Sequence, residues 1–111
     1  MTMSDDRWIQ IRYRDFWDIP RAIHLRWHGV DLLLDCPFDE ALQDYFEEYR
    51  ILRLTEPPPD EGSWVPAIDQ GVELARVPVT SIKFDETRRE FIERSSVESV
   101  LAALLESPRT A

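Results

Sequence analysis

An apolar–polar alternation on either side of a His-Gly pair constrains this fold more than any other feature of the sequence. Residues 23–27 read Ile-His-Leu-Arg-Trp, and residues 30–35 read Val-Asp-Leu-Leu-Leu-Asp. A two-residue loop at His28-Gly29 joins them into a β-hairpin, because glycine readily takes the positive φ that such turns require. The predicted register sets Trp27 opposite Val30, Arg26 opposite Asp31, Leu25 opposite Leu32 and Ile23 opposite Leu34.

This register gives the hairpin one apolar face and places an Arg26–Asp31 ion pair on the other. A slip by one residue would mix the two faces and lose the ion pair, so the alternation specifies the pairing. His28 is expected in the turn and His24 on the polar face.

Similar patterns predict the other strands. Residues 8–14 alternate as a half-buried strand, followed by a loop from Asp15 to Pro20, since proline cannot donate to a β-ladder. Residues 50–55 are apolar on both faces, which indicates a central strand. Further strands are expected over residues 72–77, 81–84 and 88–92, with a turn at Asp85–Thr87. A helix capped by Thr87 and Glu90 is the alternative for the last of these.

Three segments have helical patterns. Residues 39–48 carry apolar side chains at helical spacing, with Asp39 as the N-cap. Residues 66–70 predict one helical turn closed by Gly71. Ser95–Glu98 is a capping box that begins a C-terminal helix ended by Pro108. The apolar stripe of that helix consists of Val97, Val100, Leu101, Leu104 and Leu105.

These elements predict a single α+β domain over residues 1–111. The expected architecture is an antiparallel curled sheet or partial barrel of five to seven strands, with a short mid-chain helix and a C-terminal amphipathic helix. Residues 1–6 and 108–111 are expected to be flexible ends. Sequential hairpins leave the edges of a sheet unpaired, so we expect a second copy of the chain to pair with one of them.

The charge balance excludes several classes of function. The chain has 13 basic and 22 acidic residues, a net charge of −9, and residues 35–61 carry nine acidic residues against Arg50 and Arg53. A general nucleic-acid binder and a protein held on anionic lipid both need the opposite sign. The start is polar, no apolar run is long enough to span a bilayer, and Cys36 is the single cysteine. These features predict a cytoplasmic protein.

The residues that commonly carry chemistry do not form a recognisable site. His24 and His28 lie four residues apart on a predicted strand, about 13 Å, which is too far for one shared metal ion. Cys36 has Arg21 opposite it, but Asp35 and Asp39 disfavour a thiolate and no histidine is placed as its base. The three glycines form no phosphate-binding loop. No catalytic residue, metal site or cofactor is therefore predicted.

The segment from Asp15 to Arg21 is the best candidate for recognition. Phe16, Trp17, Asp18 and Arg21 combine two aromatic rings with charge, and aromatic and arginine side chains are enriched at protein interfaces. The alternative is that Phe16 and Trp17 fold over the sheet as core residues.

Two functions follow from these patterns. The first is a non-catalytic protein-binding or assembly module whose partner is a basic protein or a second copy. The second is a small enzyme, or an enzyme subunit, with a site near the mouth of the sheet formed by Arg21, His24, Asp35 and Cys36. A pocket that gathers those four side chains would favour the enzyme.

Overall fold

A five-stranded antiparallel sheet organises the chain. The computed structural model describes residues 7–105, apart from the side chains of Trp17 and residues 103–105. Within this part, the strands stand in the order β2–β3–β4–β7–β8, so the sheet is open and not closed into a barrel. Its strands are β2 (Arg12–Trp17), β3 (Ile19–Trp27), β4 (Val30–Asp35), β7 (Glu48–Arg53) and β8 (Val72–Pro78).

The remaining elements are short and stand around this sheet. β1 (Trp8–Gln10) pairs with β9 (Phe91–Glu93), and β5 (Phe38–Asp39) pairs with β6 (Asp44–Tyr45). Helix α1 spans Val65–Gln70, a 3-10 turn spans Val79–Ser81, and helix α2 spans Arg94–Leu105. The protein is therefore a single α+β domain, as the sequence predicts. The predicted flexible ends, residues 1–6 and 108–111, lie outside the described residues.

The β3–β4 hairpin has the predicted register at every position. Trp27 pairs with Val30, Leu25 with Leu32 and Ile23 with Leu34. His28 and Gly29 form the turn with φ angles of 52° and 80°. Arg26 does stand opposite Asp31, but the predicted ion pair between these two described residues does not form, because the Asp31 carboxylate binds the His24 ring.

The predicted loop at Asp15–Pro20 is wrong, since strand pairing continues almost to the turn. Phe16 pairs with Pro20 and Trp17 with Ile19, which leaves Asp18 alone at the tip with a φ of 67°. Pro20 is tolerated because it is the second residue of β3, beyond the last residue of β3 that pairs with β4. Its carbonyl still accepts a hydrogen bond from the Tyr49 hydroxyl, at 2.7 Å.

The predicted helix over residues 39–48 is also wrong. The Asp39 carboxylate accepts hydrogen bonds from the amides of Ala41 and Leu42, as an N-cap would. The chain then reverses at Gln43, whose φ is 56°, and Tyr45 returns to stack on Phe38 with ring centroids 5.2 Å apart. A cap-like start therefore leads into a small hairpin, because the aromatic pair and a left-handed residue override the helical spacing.

The middle and C-terminal elements follow the sequence in part. β7 lies inside the sheet, and α1 ends as predicted with the Gly71 amide bonded to the Ile68 carbonyl. The strands predicted at residues 81–84 and 88–92 are wrong in extent, since only an isolated Phe84–Ile92 bridge and the short β9 form. The turn predicted at residues 85–87 between them is confirmed, because the Asp85 carboxylate accepts hydrogen bonds from the amides of Thr87 and Arg88.

The apolar core lies on one face of the sheet, which we call the apolar face. Helix α2 covers it and begins at Arg94, one residue before the predicted cap. Val97 and Leu101 are fully buried and Val100 is half-buried, as predicted, while the side chains of Leu104 and Leu105 lie outside the described part. The sheet contributes Ile23, Leu25, Leu32, Leu34, Tyr49 and Ile51 to this core.

The opposite face, which we call the polar face, has a smaller apolar cluster surrounded by charge. Leu33 and Leu52 pack under the Trp64 ring, which is only 3% exposed. The Trp64 Nε1–H donates to the Pro59 carbonyl at 2.9 Å, so the proline-rich segment 56–62 lies against this cluster. This segment forms a surface loop in which Pro58 is buried.

Candidate binding surface

Phe16 lies at the exposed tip of the β2–β3 hairpin. Its side chain is 36% exposed, and the Arg89 guanidinium lies 3.9 Å from the ring centroid. Asp18 is exposed at the turn, and the Trp17 side chain lies outside the described part. Phe16 is thus a partly exposed residue whose ring contacts a cation of the same chain. Its predicted recognition role stays a prediction.

Arg21 lies further along β3 and connects this hairpin to the β5–β6 hairpin. Its guanidinium donates to the Cys36 sulfur at 3.3 Å and lies 4.5 Å from the centroid of the Tyr45 ring. Arg21 and Phe16 therefore have different partners on either side of the Asp18 turn. Through Tyr45, Arg21 connects the β5–β6 hairpin to strand β3.

The β5–β6 hairpin presents apolar side chains in an acidic setting, a feature that the predicted helix concealed. Leu42 at its turn is 70% exposed and Phe38 is 47% exposed. Glu40 and Asp44 are exposed beside them. Such a pairing of apolar and like-charged side chains is typical of a surface that meets an oppositely charged partner.

A groove of 570 Å³ runs between this hairpin and the C-terminal end of β8. Arg76 and Pro78 form the β8 side of this groove. The other side carries three carboxylates and three apolar or aromatic side chains, namely Asp44, Glu47, Glu48, Leu42, Tyr45 and Phe46. We call this region the acidic groove; Phe38 contacts the Tyr45 ring in its lining. A smaller cavity of 120 Å³ lies between the proline-rich segment and α1.

The four residues of the enzyme alternative do not share a site. Strand alternation places Arg21 and Cys36 on the apolar face, and His24 and Asp35 on the polar face. The sheet itself separates the two pairs, so the predicted pocket at a sheet mouth is wrong.

Cys36 is packed as a core residue. Its side chain is 2% exposed and its thiol donates to the Phe46 carbonyl at 3.0 Å. Burial raises the pKa of the Cys36 thiol, and the Arg21 guanidinium offsets this only in part. A thiol with a raised pKa is a poor nucleophile.

His24 is the centre of a hydrogen-bonded chain on the polar face. The Arg12 guanidinium can only donate, so its Nη2, at 3.0 Å, identifies His24 Nδ1 as an acceptor. The proton is then on Nε2, which donates to Asp31 Oδ1 at 3.0 Å. Burial lowers the pKa of His24; the hydrogen bond to Asp31 offsets this only in part, and the adjacent Arg12 charge lowers the pKa further. The ring is therefore neutral and holds both partners in place.

Arg12 also anchors the proline-rich segment. Its guanidinium donates to the Pro58 carbonyl at 2.9 Å and to the Asp60 carboxylate at 2.5 Å. Arg14 donates to the Asp60 carbonyl at 2.7 Å and lies 4.5 Å from the centroid of the Trp64 ring. This set of contacts closes the polar face and has the character of a structural clasp. The residues of this clasp are far apart in the sequence and follow no period, so the sequence pattern does not predict it.

Neither similarity to known proteins nor the described residues assign a family, a metal site or a membrane-spanning helix to this chain. No protein-family model, curated protein or solved structure matches this chain. Within residues 7–105, no group of three or more His, Cys, Asp or Glu side chains is arranged to hold a metal ion. In the same range, no helix is both long and apolar enough to cross a membrane.

Proposed function

We propose that this protein is a binding module that recognises a basic segment of a partner protein through the acidic groove. The observation that carries the proposal is the combination of exposed apolar side chains, Leu42 and Phe38, with three carboxylates around a groove of 570 Å³. A basic segment with an apolar or aromatic residue has the matching chemistry. We include the hairpin-tip residues Phe16 and Trp17 in the proposed binding surface as a second contact, because Arg21 of the same hairpin contacts Tyr45 in the lining of the groove.

Electrostatics favour the same class of partner. Six acidic residues lie between Asp35 and Glu48 with no basic residue among them, and the net charge is −9. Such a field steers a cationic partner toward the groove and raises the association rate at low salt. A cytoplasmic location is part of the proposal, and the free, buried thiol of Cys36 is consistent with a reducing compartment.

A labelled peptide that alternates arginine and tryptophan is the probe for this proposal. Fluorescence anisotropy is measured for this peptide and for its counterpart with glutamate in place of arginine. We expect the basic peptide alone to bind, with an affinity that falls as the ionic strength rises from about 0.05 to 0.5 M.

Because any polycation is attracted to a protein of this charge, the location of the acidic residues must be tested. The triple variant Asp44→Asn, Glu47→Gln, Glu48→Gln removes the carboxylates of the groove. The triple variant Asp69→Asn, Glu86→Gln, Glu90→Gln changes the net charge equally at exposed positions outside the groove lining. We expect the first to lose most of the binding and the second to retain it. Equal losses would contradict the proposal.

The role of the hairpin tip is tested separately by Trp17→Ala. If the variant keeps its stability and loses affinity for the basic peptide, Trp17 belongs to the binding surface. A loss of several kcal/mol in the free energy of unfolding, with affinity reduced only in proportion, would make it a core residue and remove the tip from the surface.

A further inference from the structure

The two edges of the five-stranded sheet differ in how they are protected. On the β2 edge, Asp15 has a φ of 59° that interrupts the regular strand, and Arg12 and Arg14 of this strand bind residues 58–60 over the polar face. On the β8 edge, the backbone hydrogen bonds of residues 72–78 in the described chain are those made with β7. An edge strand of this length is a template for pairing with another strand.

The β8 edge also exposes apolar side chains. Val72 is 61% exposed and Leu74 is 36% exposed. Exposed apolar residues on an open edge favour a partner that covers them. The sequence of the strand itself indicates which partner that is.

Residues 72–77 read Val-Glu-Leu-Ala-Arg-Val, a sequence that is complementary to itself when two copies run antiparallel. With a two-fold axis between Leu74 and Ala75, Val72 of each copy stands opposite Val77 of the other. Glu73 stands opposite Arg76 in the same way, so two ion pairs form across the axis. A pair of opposite charges and a pair of β-branched side chains are both favourable cross-strand neighbours.

A β-bulge makes this register geometrically allowed. In a regular strand, Glu73 and Arg76 would have opposite orientations, because they are three residues apart. The register with β7 shifts between Ile51 and Leu52, so that Leu74 is the extra residue and Glu73 and Arg76 share a face. The Arg76 Nε lies 2.8 Å from the Glu73 Oε2, which confirms that both project to the same side.

We propose that the chain forms a two-fold symmetric dimer by antiparallel pairing of β8 with β8 of a second copy. The pairing continues the sheet from five to ten strands, buries Leu74 beside the axis and sets Val72 against Val77 at each end of the paired segment. Each Glu73 then has the partner copy's Arg76 within reach as well as its own. The repulsion between two chains of net charge −9 is screened at about 0.15 M salt.

A charge-reversal pair tests this register. In a dimer of the Glu73→Arg chain, an arginine faces an arginine at both 73–76 pairs. In a dimer of the Arg76→Glu chain, a glutamate faces a glutamate at both pairs. Each alone should dimerise at least about tenfold more weakly than the wild type, because two attractive pairs become repulsive. An equimolar mixture restores both opposite-charge pairs and should give a heterodimer. Analytical ultracentrifugation measures the mass in each case, against 13.1 kDa for one chain.

A second variant tests the apolar contact at the axis. Leu74→Lys places two like charges together in the dimer and should give a monomer. Its matched control is Leu42→Lys, the same change at an exposed leucine on the β5–β6 hairpin, which should remain dimeric and should lose binding of the basic peptide instead. Circular dichroism confirms that each variant is folded.

Several results would overturn the dimer and leave the proposed function standing. These are a wild-type mass of one chain at concentrations up to about 1 mM, a mixture of the two charge variants that stays monomeric, or a Leu74→Lys chain that still dimerises. Conversely, a dimer whose groove fails to bind the basic peptide would remove the proposed function alone.

Discussion

The two faces of the main sheet are stabilised by different interactions. The apolar face is a continuous hydrophobic core under α2, in which Ile23, Leu32 and Ile51 are fully buried. The polar face carries Asp31 and Asp35, both buried, each held by a cationic or ring partner on a neighbouring strand. Burial of apolar area is tolerant of local change, whereas a buried carboxylate depends on one particular donor.

Charge runs across the polar face as a chain of pairs. The Arg50 Nη2 lies 2.6 Å from the Asp35 carboxylate, and the Arg50 Nη1 lies 3.9 Å from Glu73 on β8. Arg76 lowers the pKa of Glu73 by a hydrogen bond. This series of charge pairs ends at β8, the edge strand where the dimer is proposed. The polar face therefore connects the centre of the sheet to its edge.

The largest effect is expected on the apolar face, from Leu101→Ala. The side chain is 1% exposed in the core under α2, so its removal leaves a cavity and should lower the free energy of unfolding by about 2–5 kcal/mol. Urea denaturation measures this loss. The control is Leu42→Ala at a position that is 70% exposed, for which we expect a change within about 0.5 kcal/mol.

The contrast between the two faces would fail if α2 proved dispensable. Limited proteolysis that removes the C-terminal segment while the rest stays folded would show that α2 does not close the core.

The polar face should respond to pH in a way that the apolar face does not. The ordinary pKa of histidine is 6.5, and burial lowers the pKa of His24 in the folded state. Below pH 6.5 the unfolded chain therefore binds a proton before the folded chain does, and stability falls as the pH decreases toward the folded pKa. Protonation also removes the acceptor that Arg12 uses.

The variant His24→Gln separates this contribution from that of the carboxylates. It keeps a donor for Asp31 and should cost about 1 kcal/mol at pH 7. We expect the decrease in urea midpoint between pH 7 and pH 5 to be smaller for the variant than for the wild type. Identical pH dependence in the two proteins would mean that His24 titrates in the folded state as it does in the unfolded chain.

The difference between the faces also explains what could be predicted from sequence. The register of the β3–β4 hairpin follows from alternation, because one burial pattern fits and a slip destroys it. The clasp of Arg12, His24 and Asp60 could not be found this way, since its members lie 12 and 48 residues apart and no period relates them.

Only part of the candidate surface could be predicted from the sequence, because the rest depends on tertiary contacts. The acidic stretch and the aromatic residues at 16 and 17 are visible as composition. The groove depends on residues 39–45 forming a hairpin, and their apolar spacing is that of a helix. Contacts of Tyr45 with Phe38 and Arg21 decide the outcome, and these are tertiary contacts that local spacing does not contain.

The smallest effect is expected at Gly29, in the turn from which both faces of the hairpin begin. Its φ is 80°, and a Cβ there would meet no atom within 4 Å, so only backbone conformation opposes a larger residue. A β-branched side chain resists this φ, and Gly29→Val should cost about 1 kcal/mol or slightly more in the free energy of unfolding. Gly29→Asn is the matched control, because asparagine tolerates the left-handed region and should cost only a fraction of this. Equal losses for the two variants, measured by urea denaturation, would point to a steric clash and would contradict the turn geometry on which the register of both faces depends.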